Sequence, residues 1–331
     1  MRCLVVSQRE VPALLPMVEC IEAMAGALGT LASGDARLPL RPVVTLPDGR
    51  GAFAVMPAYL GGPPAIGLKA ITVFPGNHGT PLDSHQGAVL LFDAERGSLL
   101  ALIDASSVTA IRTAAVSAVA TRLLAREDAG DLALLGTGVQ ALSHLEALAH
   151  VRPLRRVRAY SRDASNVRGF VARAQERLGI RVEAAAATRE AVEGADIVCT
   201  TTASRTPVLE GAWLSRGTHV NAVGASLKDA RELDTAAVAG ARLFVDRRES
   251  ALAEAGDFLI PKAEGVIGDE HIRGEIGELL LGKRPGRQSR DEITLFKSLG
   301  LAVEDVAAAR VVFANATRSG AGTWVELGGE R

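Results

Sequence analysis

The chain has 331 residues, 48% of them hydrophobic and 23% charged, and its 37 basic side chains nearly balance 38 acidic ones. That composition excludes collagenous, low-complexity and acidic-tail classes, and the near-zero net charge offers no global attraction to nucleic-acid phosphates or a membrane surface. Three scattered cysteines (Cys3, Cys20 and Cys199) match neither a disulfide framework nor a zinc-ligand spacing, so no metal is expected.

The length accommodates two domains, each with its own core. Residues 4–7 form a short β-like run that soon meets Arg9 and Glu10. No apolar stretch approaches the ~18 residues of a membrane span, so the reading is a cytoplasmic protein. In residues 12–34, Leu14, Met17, Val18, Ile21, Met24 and Leu28 recur at helical spacing and stop at Ser33-Gly34. From 41 to 103 the texture turns β-rich. Pro47-Asp48-Gly49, Gly61-Gly62-Pro63-Pro64 and Pro75-Gly76-Asn77 punctuate short apolar runs, and residues 93–97 read as a hairpin turn. The alanine-rich residues 109–124 read as a helix.

A second rhythm begins at Asp131. DLALLGTG reads as a strand ending in glycines and VQALSHLEALAHV as a helix; RRVRAY and RVEAAAA are strands, each followed by a helical segment. DIVCTTT, THVNAVG and RLFVDR add three more strands. Strands alternating with helices specify a parallel, doubly wound sheet. Beyond Arg290, DEITLFKSLG and VEDVAAARVVFANATRSG read as helices and TWVEL as a short strand. The expected fold is α/β, with a Rossmann-type doubly wound sheet over residues 116–302. A β-rich α+β domain over residues 1–115 is rejoined by the C-terminal segment 303–331.

Gly136-Thr137-Gly138-Val139-Gln140-Ala141 fits the G-x-G-x-x-A pattern, directly after a strand and opening a helix. Gly136 permits the tight turn, Gly138 lets a pyrophosphate approach the backbone, and Ala141 lets helix and strand pack. Val139 and Gln140 lie at the helix N-terminus, whose amides and dipole favour an anion. After the second strand come Ser161 and Arg162, a neutral donor and a cation suited to a 2′-phosphate. NADP(H) is therefore favoured and NAD(H) is the alternative, with Asp163 nearby as the residue that would reverse the reading. Thr200 and Thr201 end another strand, and Val223 and Gly224 the next, at tips where a dinucleotide is expected. Lys69 inside an apolar strand and Arg112 inside an alanine-rich helix are costly unless paired or functional, and an arginine fork suits a carboxylate or phosphate.

Together GLKAITVFPGN, SHQGAVLLFD, IDASSVTAIRTAAVSAVAT, LGTGVQA and VNAVGAS…RELD resemble the ornithine cyclodeaminase/mu-crystallin family over nearly the whole chain, in the family's order. The resemblance implies a homodimer formed through the N-terminal domain, and a small imino- or amino-acid substrate. It implies that Arg41, Lys69 and Arg112 meet the substrate, Lys69 beside the reacting nitrogen and Arg112 also facing the cofactor. Ser84 and Thr113 are expected on the cofactor side; Ser84 stands where the family usually has threonine. Where the cyclodeaminases carry an aspartate for the distal amine, this chain has Ser226, a poor base. That points to reduction of a cyclic ketimine carboxylate. Ornithine cyclodeamination with Asp229 as substitute base, alanine dehydrogenation, and cofactor-dependent ligand binding without turnover remain the rival readings.

Overall fold

The computed structural model describes residues 2–77 and 79–328, so the expected domain limits at residues 1 and 331 lie outside the described residues. The chain divides into two compact units, Met1–Arg112 with Gly300–Arg331, and Thr113–Leu299. In chain order the first unit contributes β1 (Arg2–Val6), α1 (Val11–Leu14), α2 (Met17–Ser33), β2 (Ala36–Arg37), β3 (Val43–Thr45), β4 (Ala52–Leu60), β5 (Ala65–Val73), β6 (His85–Phe92), β7 (Leu99–Asp104) and the start of α3 (Ala105–Leu124). The second unit continues with β8 (Asp131–Leu135), α4 (Val139–Ala149), β9 (Arg156–Tyr160), α5 (Ala164–Leu178), β10 (Glu183–Ala184), α6 (Thr188–Val192), β11 (Ile197–Thr200) and β12 (His219–Ala222). It ends with α7 (Thr235–Ala239), β13 (Ala241–Val245), α8 (Arg248–Glu254), α9 (Gly256–Ala263), β14 (Ile272–Glu275), α10 (Ile276–Leu280) and β15 (Ile293–Lys297). Then α11 (Ala302–Ser319) and β16 (Thr323–Glu326) return to the first unit.

The first unit is a sheet in the order β16-β1-β7-β6-β5-β4-β2, with β3 also on β4. Its central strands alternate, as a half-covered sheet requires. Met56, Lys69, Val89 and Ile103 stand in register across β4 to β7 on the buried face. Helix α11 covers that face. A Cβ on Gly67 of β5 would fall 2.5 Å from Val306 Cγ2, so glycine is what lets helix and sheet meet. The single helix expected over residues 12–34 is two: Pro16 forces Leu15 out of helical geometry (φ −128°, ψ 67°), and α2 starts at Met17.

In the second unit the order is β10-β9-β8-β11-β12-β15-β13-β14, with every pair parallel. Leu132, Leu134, Val157 and Ile197 feed one core, while Ala133, Leu135, Val198 and Val220 feed another. Burial on both faces explains the uninterrupted apolar runs of these strands. DEITLFKSLG is a strand, not the expected helix. Leu295 and Leu299 stand at helical spacing, but Thr294 through Lys297 are all buried between β12 and β13, where only an extended segment completes the ladder. RVEAAAA shrinks to the two-residue β10, and residues 248–290 add helices that the sequence reading left unassigned. No helix among the described residues is long and apolar enough to cross a membrane.

Candidate active site

In the first unit the chemistry gathers on the buried face of the sheet. Lys69 is 2% exposed, and its Nζ lies 3.0 Å from both carboxylate oxygens of Asp305 and 3.3 Å from Thr109 Oγ1. Arg112 donates through Nε to Asp305 Oδ1 (2.9 Å) and through Nη1 to Glu304 Oε2 (2.7 Å). Glu304 and Asp305 sit in the first turn of α11, where the helix dipole favours negative charge. Burial and the neighbouring Arg112 push the Lys69 pKa down to about 8; Asp305 opposes that shift and Arg41 adds to it. The structure thus brings Lys69 and Arg112 together, with the half-buried Arg41 within electrostatic reach. Ser84 is half-buried, with its carbonyl accepting from the Phe74 amide and its Oγ 3.2 Å from His85 Nδ1.

Sequence reasoning missed Glu304 and Asp305. The signal was present: two acids opening an alanine-rich apolar helix carry the same cost that singled out Arg112.

The second unit builds a different kind of site at the carboxyl ends of its strands, where the winding reverses between β8 and β11. Gly136 holds φ +108°, and a Cβ there would lie 2.8 Å from Thr201 O and Oγ1. Gly138 caps α4 without any side-chain bond, and a Cβ added to it meets no protein atom within 4 Å. That open cradle, beside a first turn without acidic residues, fits the phosphates of a dinucleotide. Val139 is exposed, Gln140 is half-buried, and Ala141 is fully buried against the strand. Thr113 is buried in α3.

Ser161 and Arg162 follow the tip of β9, half-buried and exposed respectively. Asp163 is the N-cap of α5, accepting from the Ser165 amide and Oγ, each at 2.7 Å. Its carboxylate is engaged in the cap, leaving Ser161 and Arg162 as the polar side chains the strand tip presents.

Thr200 lies at the end of β11. Its side chain is fully buried and its hydroxyl donates to Glu232 Oε2 (2.8 Å). Thr201 Oγ1 donates to the Leu135 carbonyl (3.2 Å). Glu232, within the RELD segment of the family resemblance, is the hub. It also accepts from the Thr202 amide (2.6 Å) and hydroxyl (2.7 Å) and from the Gly224 amide (2.6 Å), tying the ends of β11 and β12 together. Burial pushes its pKa up, while the Lys297 ammonium works against that. Lys297 in turn pairs with Asp257 at 3.0 Å, and Asp257 accepts from the amides of Glu232 and Leu233. Val223, half-buried, bonds through its amide to Thr200 O. Ser226 is half-buried in the loop after β12, and Asp229 is exposed and ion-paired with Arg205.

The sequence profile of the ornithine cyclodeaminase/mu-crystallin family matches residues 1–320. The chain is 42% identical over 280 residues to a ketimine reductase mu-crystallin from Mus musculus, covering 85% of each protein. Among solved structures it superposes on Thermococcus litoralis Δ1-pyrroline-2-carboxylate reductase in complex with NADH and L-proline, with TM-score 0.94, 38% identity, and 97% and 99% of the two chains covered. An archaeal alanine dehydrogenase dimer with bound NAD gives TM-score 0.92 and 35% identity, covering 99% and 100%.

Proposed function

The chain belongs to the ornithine cyclodeaminase/mu-crystallin family, and from that premise we propose that it reduces a small cyclic ketimine carboxylate to the cyclic amino acid in the cytoplasm. Substrates of the Δ1-pyrroline-2-carboxylate or Δ1-piperideine-2-carboxylate kind fit the reading. Reduced pyridine nucleotide, when bound, supplies the hydride. Gly136, Gly138, Val139 and Gln140 would hold its pyrophosphate, Thr201 and Val223 would line its strand tips, and Ser84 and Thr113 would meet it from outside the glycine turn. Ser161 and Arg162 support use of NADPH at least as well as NADH, since the competing Asp163 carboxylate is engaged in capping α5.

Arg41, Lys69 and Arg112 would hold the substrate carboxylate. With its pKa near 8, Lys69 is a cation at neutral pH and holds a proton suited to the imine nitrogen. The observation that carries reduction over cyclodeamination is the loop after β12. It offers a hydroxyl at Ser226; the Asp229 carboxylate three residues on is exposed and bound to Arg205, and the Glu232 carboxylate is taken up by Thr200, Thr202 and the Gly224 amide. Loss of ammonia from a diamine needs a base for the distal ammonium, which a hydroxyl does not supply. The test is incubation of the wild type with ornithine and NAD⁺. No ammonia or proline above background is expected, and robust proline formation would overturn the reading. A second reading, alanine dehydrogenation, draws on the 35% identity to the archaeal enzyme, and NADH oxidation supported by pyruvate plus ammonia distinguishes it.

A homodimer formed by the first unit is supported by the open face of its sheet. There Phe53, Tyr59 and Ile66 are exposed, and Leu68, Leu90 and Leu102 continue the same apolar face in register.

A further inference from the structure

We propose that Asp305 is a positioning residue: its carboxylate holds the Lys69 ammonium and the Arg112 guanidinium in one fixed arrangement for an anionic substrate. The inference rests on the reading of Lys69 and Arg112 as substrate groups and goes beyond it, since Asp305 touches neither substrate nor cofactor in that reading. Asp305 Oδ1 accepts from both cations, at 3.0 Å from Lys69 Nζ and 2.9 Å from Arg112 Nε, so one atom fixes the separation of two donors from different elements. Glu304 takes a second nitrogen of Arg112 and thereby sets the rotation of the guanidinium about the shared carboxylate. All four side chains are at most 5% exposed. Long flexible cations need such anchors: without them, ordering each chain on substrate binding costs rotamer entropy.

The charged groups acting on Lys69 are Arg112 from α3, Asp305 from α11 and Arg41 from the segment before β3, while Glu304, beside Asp305 on α11, bonds Arg112. Thr109 of α3 adds a neutral acceptor, and Met56 and Val89 flank Lys69 in register without charge. Cys20 of α2, close to Arg112 and Glu304, stays a neutral thiol because burial pushes it up to about 12. Asp305 is the neighbour that favours charged Lys69 against burial and two like charges. Removing its charge therefore lowers the Lys69 pKa further, and the ammonium is lost at a lower pH.

The experiment follows kcat/KM for Δ1-pyrroline-2-carboxylate against pH in wild type, Asp305→Asn and Asp305→Glu, with NADPH affinity measured alongside. Nζ titration is followed by NMR on lysine-labelled protein, with Lys69→Met assigning the signal. For Asp305→Asn the account expects the alkaline limb of kcat/KM to move down by about one pH unit or more. It expects a loss of about fivefold or more at pH 8, smaller at pH 6, with NADPH affinity unchanged. Asp305→Glu keeps the charge but not the reach, so kcat/KM falls while the limb stays in place. An Asp305→Asn profile lowered equally at every pH, or an unmoved Lys69 titration, would overturn the proposal as a purely structural effect. Should Asp305→Asn not fold, Asp305→Glu decides: wild-type kcat/KM in that variant overturns it. If the wild type reduces no imine, the functional reading fails on its own, and the Lys69 titration in Asp305→Asn still decides the role of Asp305.

Discussion

The two units offer ligands different materials. The first presents charged side chains, buried and paired with each other at Lys69, Arg112, Glu304 and Asp305. The second presents backbone: a glycine turn at Gly136 and Gly138 and the uncapped start of α4. Side chains held by partners recognise one carboxylate in one orientation, but each depends on all the others. Backbone amides at a helix start recognise any phosphate and tolerate most side chains nearby. Substitutions in the first unit should therefore be severe and cooperative, and those in the second graded and local.

The largest effect is expected from Lys69→Met. Lys69 is read as meeting the anionic substrate, and losing one partner of a buried, hydrogen-bonded charge pair in a complex costs about 2–5 kcal/mol, so kcat/KM should fall roughly 100-fold or more, while NADPH affinity stays near wild type. A variant that loses NADPH affinity equally would erase the division of labour between the units.

Acid should strike the second unit. Burial pushes the pKa of His144 down to about 4 and that of His219 down to about 3, so both rings stay neutral in the folded chain. The unfolded chain binds those protons near its ordinary value of about 6.5, so stability is lost as pH falls below that, by roughly 3 kcal/mol per ring by pH 4. His144→Gln should lessen that acid dependence in a pH series of melting temperatures. An unchanged slope would contradict the assignment.

The glycine turn was legible in the sequence because its signal is local: six residues, a strand before and a helix after. Lys69 and Arg112 were also visible, as charges in apolar settings. Their partners were not, because Asp305 lies 236 residues from Lys69 and 193 from Arg112, and only the return of α11 to the first sheet joins them. The strand Ile293–Lys297 was read as a helix for a related reason. Its buried ladder positions come from strands β12 and β13, which no local pattern specifies. The Thr200 partner was not legible either, because a threonine at a strand tip looks the same whether its hydroxyl turns outward or to a buried carboxylate such as Glu232.

Two alanine substitutions separate fold from function within the glycine turn. Gly136→Ala meets Thr201 at positive φ and should cost about 1–3 kcal/mol of stability. Gly138→Ala meets no protein atom and should leave the melting temperature unchanged, yet weaken nucleotide binding roughly tenfold by filling the cradle. Equal stability losses in the two variants would break the assignment of Gly138 to the ligand. The smallest effect is the most selective. Arg162→Ala should raise the KM for NADPH about tenfold, as a charge-assisted bond of ~1.5–3 kcal/mol is lost, and leave NADH nearly untouched. Parallel changes in both constants would remove Arg162 from the 2′-phosphate.

The most direct measurement follows NADPH oxidation by the wild-type protein with Δ1-pyrroline-2-carboxylate and with Δ1-piperideine-2-carboxylate. The account predicts saturable oxidation with at least one of the two imines, reduced roughly 100-fold or more in Lys69→Met although that variant still binds NADPH. A flat trace with both imines, from a wild-type protein that binds NADPH, would contradict it.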